Sequence, residues 1–305
     1  MTIQQKCNDL NRKIHEKLFL NNFLLNKTGN HERAFTSLDL IEDCQNAIEE
    51  FDKVETVKHR STLYIYGVLQ AMYCQQDGLF HLYKTIVDIK IKNVYELFKL
   101  NHFTEEIREV RDDIAGHPAD RKKGKEFYFI AKGSNTKYKF SYAGYTPEFR
   151  IVEVDLKNFI VKQNDFTKTI LMQIENSICE KIEIHKKKFK GMTLANLLND
   201  LDSNIQFVYR GIYDNHHMAD FGLNEMEKTI AKVKQELNTR YNNRIPESVE
   251  CIFRLQDYII KKVEKWISNN EIYKNIEAEI YMDSFDKQLE ELRTILTEID
   301  QEFGN

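Results

Sequence analysis

The chain has 305 residues, more than one typical helical domain, and its length fits one large or two modest domains. Apolar residues make up 42% of it, enough for a sizeable core, and the presence of only 3 prolines and 11 glycines argues against a loop-rich or all-β protein. The net charge of −4 argues against nucleic-acid binding by the surface as a whole, so any such binding would need a local basic patch.

The first part of the chain has the apolar periodicity of helices. Residues 4–26 predict a first helix, and the next apolar pattern predicts a second over about 36–57. A third helix is expected over about 61–91, with a break near Gly78. A shorter fourth helix is expected over 104–115, because a threonine cap and early acidic residues suit a helix start.

The pattern changes between residues 126 and 155. Aromatic and β-branched runs at 127–130, 138–142 and 151–154, with glycine-containing turns between them, indicate a small three-stranded antiparallel meander. Helical periodicity then returns and predicts helices over about 167–189, 193–212, 223–241, 248–268 and 272–302. The predicted fold class is therefore mainly α, with a small antiparallel β meander insertion and additional C-terminal helices.

The β segment is the natural seam of the chain. It divides an N-terminal helical domain, residues 1–125, from a C-terminal helical region, residues 161–305, with the β meander at 126–160 between them. Whether the two helical parts form one domain or two stays open at this point.

Other features of the sequence bear on location and cofactors. The N-terminus lacks the apolar segment of a secretory signal peptide, and the most apolar run, near residues 63–74, is far shorter than the about 20 residues that span a bilayer. The 5 cysteines are scattered without a C-x-x-C pair, which argues against a disulfide framework or a cysteine zinc site. We therefore expect a cytoplasmic protein with no membrane contact, no metal and no cofactor.

The one sharp chemical feature is the stretch RDDIAGHP at residues 111–118. On a helix with about 100° per residue, Ile107, Val110 and Ile114 share one narrow face, which we interpret as a core stripe. Arg111 borders this stripe on one side.

The end of this stretch predicts where the helix stops. Gly116 is a natural helix terminator, and Pro118 disfavours the α conformation at His117. The imidazole then lies at a helix C-terminus, a setting that suits acid–base chemistry. Arg111 lies roughly 9 Å back along the axis, and its guanidinium can reach the same space and hold a phosphate by paired hydrogen bonds. Asp112 can orient either side chain. The alternative is ordinary helix punctuation beside a surface Arg–Asp pair.

Two longer helices and a shorter one with this motif near its end resemble the HEPN superfamily. The hallmark of that superfamily is an Arg, usually followed by a polar residue, with a His a few residues later. Here five residues separate Arg111 from His117, and Asp112 occupies the polar position. The resemblance covers about residues 35–120 and implies a HEPN-like helical bundle.

The resemblance implies a metal-independent endoribonuclease that acts as a homodimer, with two motifs facing each other in one cleft. His117 would be the general base or acid, Arg111 would stabilise charge on the phosphorane, and Asp112 would orient Arg111 or His117. Many such proteins act in defence or stress responses, so an antitoxin or another regulatory protein is a further expected partner. Other members have lost catalysis, which leaves a non-catalytic interaction or regulatory module as the alternative.

A basic stretch follows the motif. Arg121, Lys122, Lys123 and Lys125 place four cations within five residues. Beside the expected cleft they would bind the phosphate backbone of RNA. The alternative is a solvated turn that leads into the first strand.

The same Arg–His spacing occurs a second time, at Arg210 and His216. Gly211 stands where the motif has a polar residue, so we interpret this copy as a coincidence. His217 follows directly, but adjacent histidines on a helix point about 100° apart and rarely share one metal ion.

Overall fold

The structure is a computed structural model that describes residues 1–16, 29–54, 61–87, 89–116, 118–131, 136–145 and 148–304. Within these residues the chain is mainly helical, with one three-stranded antiparallel sheet. This confirms the predicted fold class. None of the helices described is long and apolar enough to cross a membrane.

The described residues form two compact units. The first contains the described residues up to Glu180, and the second contains those from Lys181 onward. The sheet belongs to the first unit, together with the N-terminal helices. The division into 1–125, 126–160 and 161–305 stays a prediction about separate domains.

The first unit begins with five helices: α1 (Ile3–Glu16), α2 (Asn30–Lys53), α3 (Ser61–Val87), α4 (Val94–Leu100) and α5 (Glu106–Arg111). The part of the predicted first helix beyond residue 16 lies outside the described residues. The predicted break near Gly78 is wrong, because α3 is continuous. A Cβ atom on Gly78 would lie 3.0 Å from Ile41 and 3.2 Å from the Ser37 carbonyl oxygen, so this glycine lets α2 and α3 approach closely.

Helix α4 was not predicted from the sequence. The Asn93 side chain accepts a hydrogen bond from the Glu96 amide at 3.1 Å, and the Glu96 carboxylate accepts one from the Lys92 amide at 2.8 Å. These two hydrogen bonds satisfy backbone amides at and just before the first turn, and they stabilise the start of the helix. The Asn-x-x-Glu pattern was therefore a readable signal for it.

Helix α5 begins two residues later than the predicted 104–115 helix and ends in a different geometry. Its α-helical part stops at Arg111, and Asp112–Gly116 forms a π-helical turn. Ile107, Val110 and Ile114 are all buried, which confirms the predicted core stripe.

The sheet consists of β1 (Phe127–Ile130), β2 (Lys139–Tyr145) and β3 (Phe149–Asp155), in the order β1-β2-β3. Tyr128, Phe140, Tyr142 and Val154 lie on its inward face and join one core cluster with the stripe of α5. The predicted meander is confirmed. Its inward face covers the end of α5 that carries the motif.

Helix α6 (Leu156–Lys188) starts directly after β3, eleven residues before the predicted start at 167. The Asp155 carboxylate accepts hydrogen bonds from the backbone amides of Lys157 and Asn158, at 3.0 and 3.2 Å. A carboxylate at this position satisfies amide groups that have no partner within the helix. The boundary between the two units falls within α6.

A buried hydrogen-bond network joins α2, α3 and α6. The Gln75 amide group donates to Gln45 at 3.0 Å, Gln163 donates to Gln75 at 2.9 Å, and Gln76 donates to Gln163 at 2.9 Å. Buried polar groups that are fully paired favour one arrangement of their helices. The network therefore positions α3, which supplies the partners of Arg111.

The second unit contains a 3₁₀ turn (Ala195–Leu198) and the helices α7 (Leu201–Asp214), α8 (Ala219–Arg240), α9 (Glu247–Ser268) and α10 (Ile276–Glu302). The single helix predicted over 193–212 is therefore wrong. The buried Asp300 accepts hydrogen bonds from the Leu194 and Ala195 amides and pairs with the buried Arg240 at 2.9 Å. These contacts fix the start of the 3₁₀ turn.

Candidate functional site

Arg111 is the last residue of α5, and its guanidinium is held by α3. Its Nε and Nη2 both donate to the Gln70 side-chain oxygen, at 2.9 and 2.8 Å. Its guanidinium carbon lies 4.3 Å from the centre of the Tyr73 ring. Two hydrogen bonds and a ring contact from residues about forty positions upstream fix its orientation.

Asp112 lies between two arginines. Its Oδ1 accepts a hydrogen bond from Arg111 Nη1 at 2.8 Å, and its Oδ2 lies 3.7 Å from Arg121 Nη1. The predicted catalytic residues Arg111 and Asp112 are thus in direct contact. The predicted RNA-binding residue Arg121 joins the same cluster.

Asp113 anchors Arg121 from the other side. Its Oδ1 accepts from Arg121 Nε at 2.8 Å, and its Oδ2 accepts from the Tyr142 hydroxyl at 3.2 Å. Burial raises the pKa of the Asp113 carboxyl, and the charge of Arg121 opposes that rise. Burial, reinforced by the Asp113 charge, also raises the pKa of Tyr142. Asp113 therefore positions Arg121 at some electrostatic cost.

The π-helical turn brings its last residue against this cluster. A Cβ atom on Gly116 would lie 2.9 Å from Arg111 Nη1 and 3.2 Å from Asp112 Oδ1. The glycine thus leaves room for the Arg111–Asp112 pair. His117, the third predicted catalytic residue, lies outside the described residues, so its place beside Arg111 stays a prediction.

The predicted RNA-binding cations differ in their surroundings. Arg121 and Glu126 pair through their backbones, and Lys122 and Lys123 have positive φ values of 48° and 61° in the turn between them. Lys122 forms an ion pair with Glu126 at 2.7 Å. Lys123 and Lys125 are exposed and pair with no carboxylate of the described residues. The turn therefore offers two cations to solvent.

A chain of polar contacts continues from this turn onto the sheet. The Tyr128 hydroxyl donates to Glu126 at 2.8 Å and accepts from Arg150 at 2.8 Å. Hydrogen bonds from Lys122 and then Tyr128 lower the pKa of Glu126. A cavity of about 570 Å³ lies here, and Asp113, Arg121, Tyr142 and Arg150 contribute to its lining. Asp113 is the motif residue that lines this cavity.

Arg108, one turn before Arg111, was not predicted to belong to the site. It is buried, its Nη1 donates to Asp77 at 2.9 Å, and its guanidinium carbon lies 3.6 Å from the centre of the Tyr73 ring. Arg108 and Arg111 therefore contact the same ring. In the sequence, the only indication that Arg108 lies near Arg111 is their separation by three residues on one helix. The contacts of Arg108 with α3 are long-range, and the sequence does not indicate them.

The second Arg–His pair has different surroundings. The Nδ1 atom of His216 accepts a hydrogen bond from the Met218 amide at 3.2 Å, and its ring stacks on that of His217 with centres 4.7 Å apart. A Cβ atom on Gly211 would lie 2.5 Å from the Cβ of Ala219.

Among the residues that the structure describes, no group of His, Cys, Asp and Glu is arranged to hold a metal ion.

The arrangement around Arg111 is suited to binding a phosphate. Two arginines, Arg111 and Arg121, share the Asp112 carboxylate at a π-helical turn. The Asp113 carboxylate fixes Arg121, and these two residues line the polar cavity. Two oriented guanidinium groups can bind the oxygens of one phosphodiester by charge-assisted hydrogen bonds.

No protein-family model matches the chain, and no curated protein or solved structure matches it either.

Proposed function

We propose that the chain is a metal-independent endoribonuclease that acts as a homodimer, with Arg111, Asp112 and His117 in its active site. The observation that carries the proposal is the fixed guanidinium of Arg111, which Gln70, Tyr73 and Asp112 hold at a π-helical turn. Such turns are frequent at functional sites. On the HEPN resemblance the setting is defence or stress, and an antitoxin or regulatory protein would restrain the enzyme.

In this proposal the arginines bind the scissile phosphate. Three of the five N–H donors of Arg111 are engaged by Gln70 and Asp112, and the remaining donors can bind the phosphate. Arg121, joined to Arg111 through Asp112, contributes a second guanidinium. As negative charge builds up on the phosphorane, these fixed cations stabilise it without reorganising.

His117 supplies the proton chemistry. One imidazole removes the proton of the RNA 2′-hydroxyl, and the oxygen attacks the adjacent phosphorus. The bond from phosphorus to the 5′-oxygen breaks, a 2′,3′-cyclic phosphate forms, and an imidazolium protonates the leaving oxygen. Base and acid must act on opposite sides of the phosphorus, which is why two copies of the motif in one cleft are proposed.

The test is cleavage of mixed-sequence RNA in EDTA. We expect Arg111→Ala and His117→Ala each to lower the rate at least about 100-fold, as loss of an acid–base or charge-stabilising group does. Asp112→Asn, which changes a positioning residue, should lower kcat about tenfold while KM changes little. Arg210→Ala and His216→Ala are matched controls, because they remove the same side chains at the same spacing, and they should leave the rate unchanged.

The alternative is a non-catalytic interaction or regulatory module. It is favoured by the contacts of Arg111 with Gln70 and Tyr73, which also suit an arginine that joins two helices. In that case Arg111→Ala lowers stability but the wild type cleaves no RNA. Absence of cleavage by the wild type, or equal cleavage by the wild type and His117→Ala, contradicts the ribonuclease proposal.

A further inference from the structure

The outward face of the sheet carries a group of exposed apolar side chains. We define the aromatic platform as Phe127, Phe129, Tyr145, Phe149 and Ile151. They are 45%, 46%, 56%, 56% and 62% exposed, respectively. All five lie within the first unit.

The pairing of the strands places these residues together. Phe127 pairs with Tyr145, which pairs with Phe149, so these three form one row across the sheet. Phe129 and Ile151 flank the small Ala143 in the next row. An antiparallel sheet with one face on the core normally has polar residues on its other face. An exposed apolar face of this kind indicates a binding surface.

The ring spacings suit unstacked bases. The Tyr145 ring centre lies 6.1 Å from that of Phe129 and 5.4 Å from that of Phe149. The rings are therefore neighbours on the sheet surface and together form one aromatic area on which bases can stack. Aromatic side chains on a sheet are a common way for proteins to bind successive bases of a single strand.

The charge beside the platform suits a polyanion. The basic turn leads directly into β1, and the platform lies at that end of the sheet, because Phe127 is the first residue of β1. Lys123 and Lys125 are exposed there. An aromatic surface with exposed lysines at this end, and with Glu153 at the other end of the same face, suits a single strand that lies across the Phe127–Tyr145–Phe149 row: its bases stack on the rings while its phosphates meet the lysines.

We propose that the aromatic platform binds single-stranded RNA by base stacking, with the RNA backbone along Lys123 and Lys125. The choice of RNA rests on the proposed function. The platform lies on the face of the sheet opposite to the one that covers the motif, so a bound strand would reach the cleavage site past the basic turn at the edge of the sheet. The binding itself requires neither Arg111 nor His117.

The experiment measures binding without cleavage. His117→Ala protein is titrated in EDTA against a fluorescein-labelled single-stranded RNA of about 12 nucleotides, a length in the range of single-strand sites, and anisotropy is recorded. We expect Tyr145→Leu and Phe149→Leu each to weaken binding about tenfold, because leucine keeps an apolar side chain and loses the stacking ring. Phe221→Leu, at an exposed phenylalanine of the second unit, is the matched control and should bind as the parent does.

The salt dependence of RNA binding is a second measurement. It uses variants of the basic turn, which leave the strands of the sheet unchanged. Lys123→Gln and Lys125→Gln should each reduce the slope of log K against log salt by about 0.7, the value for one phosphate contact with a single strand. A duplex of the same sequence should compete weakly, because its bases cannot stack on the rings.

The outcomes separate this inference from the proposed function. If the parent binds no single-stranded RNA, or if the leucine variants and Phe221→Leu bind equally well, the platform proposal fails even where Arg111-dependent cleavage is observed. If the platform variants lose binding and the wild type cleaves nothing, the platform stands and the ribonuclease proposal fails. If Tyr145→Lys converts a dimer to a monomer in sedimentation and leaves RNA binding intact, the face is an interface between copies and the proposal is overturned.

Discussion

Two segments of this chain share one spacing of Arg and His and differ in nearly everything around it. Arg111 is held by Gln70, Tyr73 and Asp112. Arg210 is an exposed residue of α7, and the backbone turn after that helix engages His216 through the Met218 amide. The two-residue pattern is therefore uninformative by itself. What the arginine can do depends on the side chains that contact it from other helices and strands.

The residue that follows the arginine shows most clearly how the surroundings of the two segments differ. Asp112 contacts Arg111 and lies near Arg121. Gly211 occupies the corresponding position in the second segment, where α7 and α8 approach closely against Ala219. One position serves the arrangement of charges, and the other serves helix packing. Three predictions test this contrast.

The largest effect is expected from Gly211→Asp. This substitution places after Arg210 the same residue, aspartate, that follows Arg111 in the first segment. The new Cβ would overlap Ala219, and a carboxylate would lie in a buried helix contact. We expect a loss of about 3 kcal/mol in the free energy of unfolding, from overpacking together with burial of a charge. Urea unfolding measures it, with Gly211→Ala as the intermediate variant. Near-equal stability of Gly211→Asp and the wild type would contradict the packing role.

A smaller effect is expected from Gly116→Ala. Its Cβ would displace the Arg111–Asp112 pair, since the nearest atoms lie at 2.9 and 3.2 Å. We expect RNA cleavage to fall about tenfold, because small displacements of a charge-stabilising group are costly. Gly67→Ala is the control: a Cβ there meets nothing within 4 Å, so it should stabilise α3 by about 0.5–1 kcal/mol without changing cleavage. Equal rates for the two variants would count against an active-site role for the pair.

The smallest effect concerns pH. Because burial raises the folded-state pKa of Asp113 above its ordinary value of 3.8, the folded state holds this proton more tightly than the unfolded state does. The stability that this extra proton affinity contributes is fully present below pH 3.8, and it is lost as the pH rises through the folded-state pKa. Relative to Asp113→Asn, the wild type should therefore lose stability as the pH rises above 3.8. Urea unfolding of both proteins over a pH series would show this, and a constant or opposite difference would refute it.

Much of the fold was predictable because it depends on local patterns. The three strands and the buried stripe of α5 follow from alternation and helical periodicity. The start of α6 and the whole of α4 were missed, although Asp155 and Asn93 cap them. Short caps are weak signals beside a strand or a long helix, where the stronger apolar pattern decides the interpretation.

The candidate site was predictable only in part. The sequence indicated Arg111 and Asp112 and a basic turn, and the structure places Arg121 of that turn against Asp112. It did not indicate Gln70 or Tyr73, because these residues lie about forty positions earlier and meet Arg111 only when α3 packs beside α5. It also predicted an ordinary helix end where the backbone forms a π-helical turn.

By itself the sequence determined the helical class, the strands and the core stripe, since spacing along the chain is sufficient to create an apolar face. Only the tertiary structure decided which of two equally spaced arginines is held in a charged cluster, and which sheet face leaves its aromatic residues exposed. The physical reason is that hydrogen bonds, ion pairs and burial depend on neighbours in space. Those neighbours are chosen by packing of whole elements.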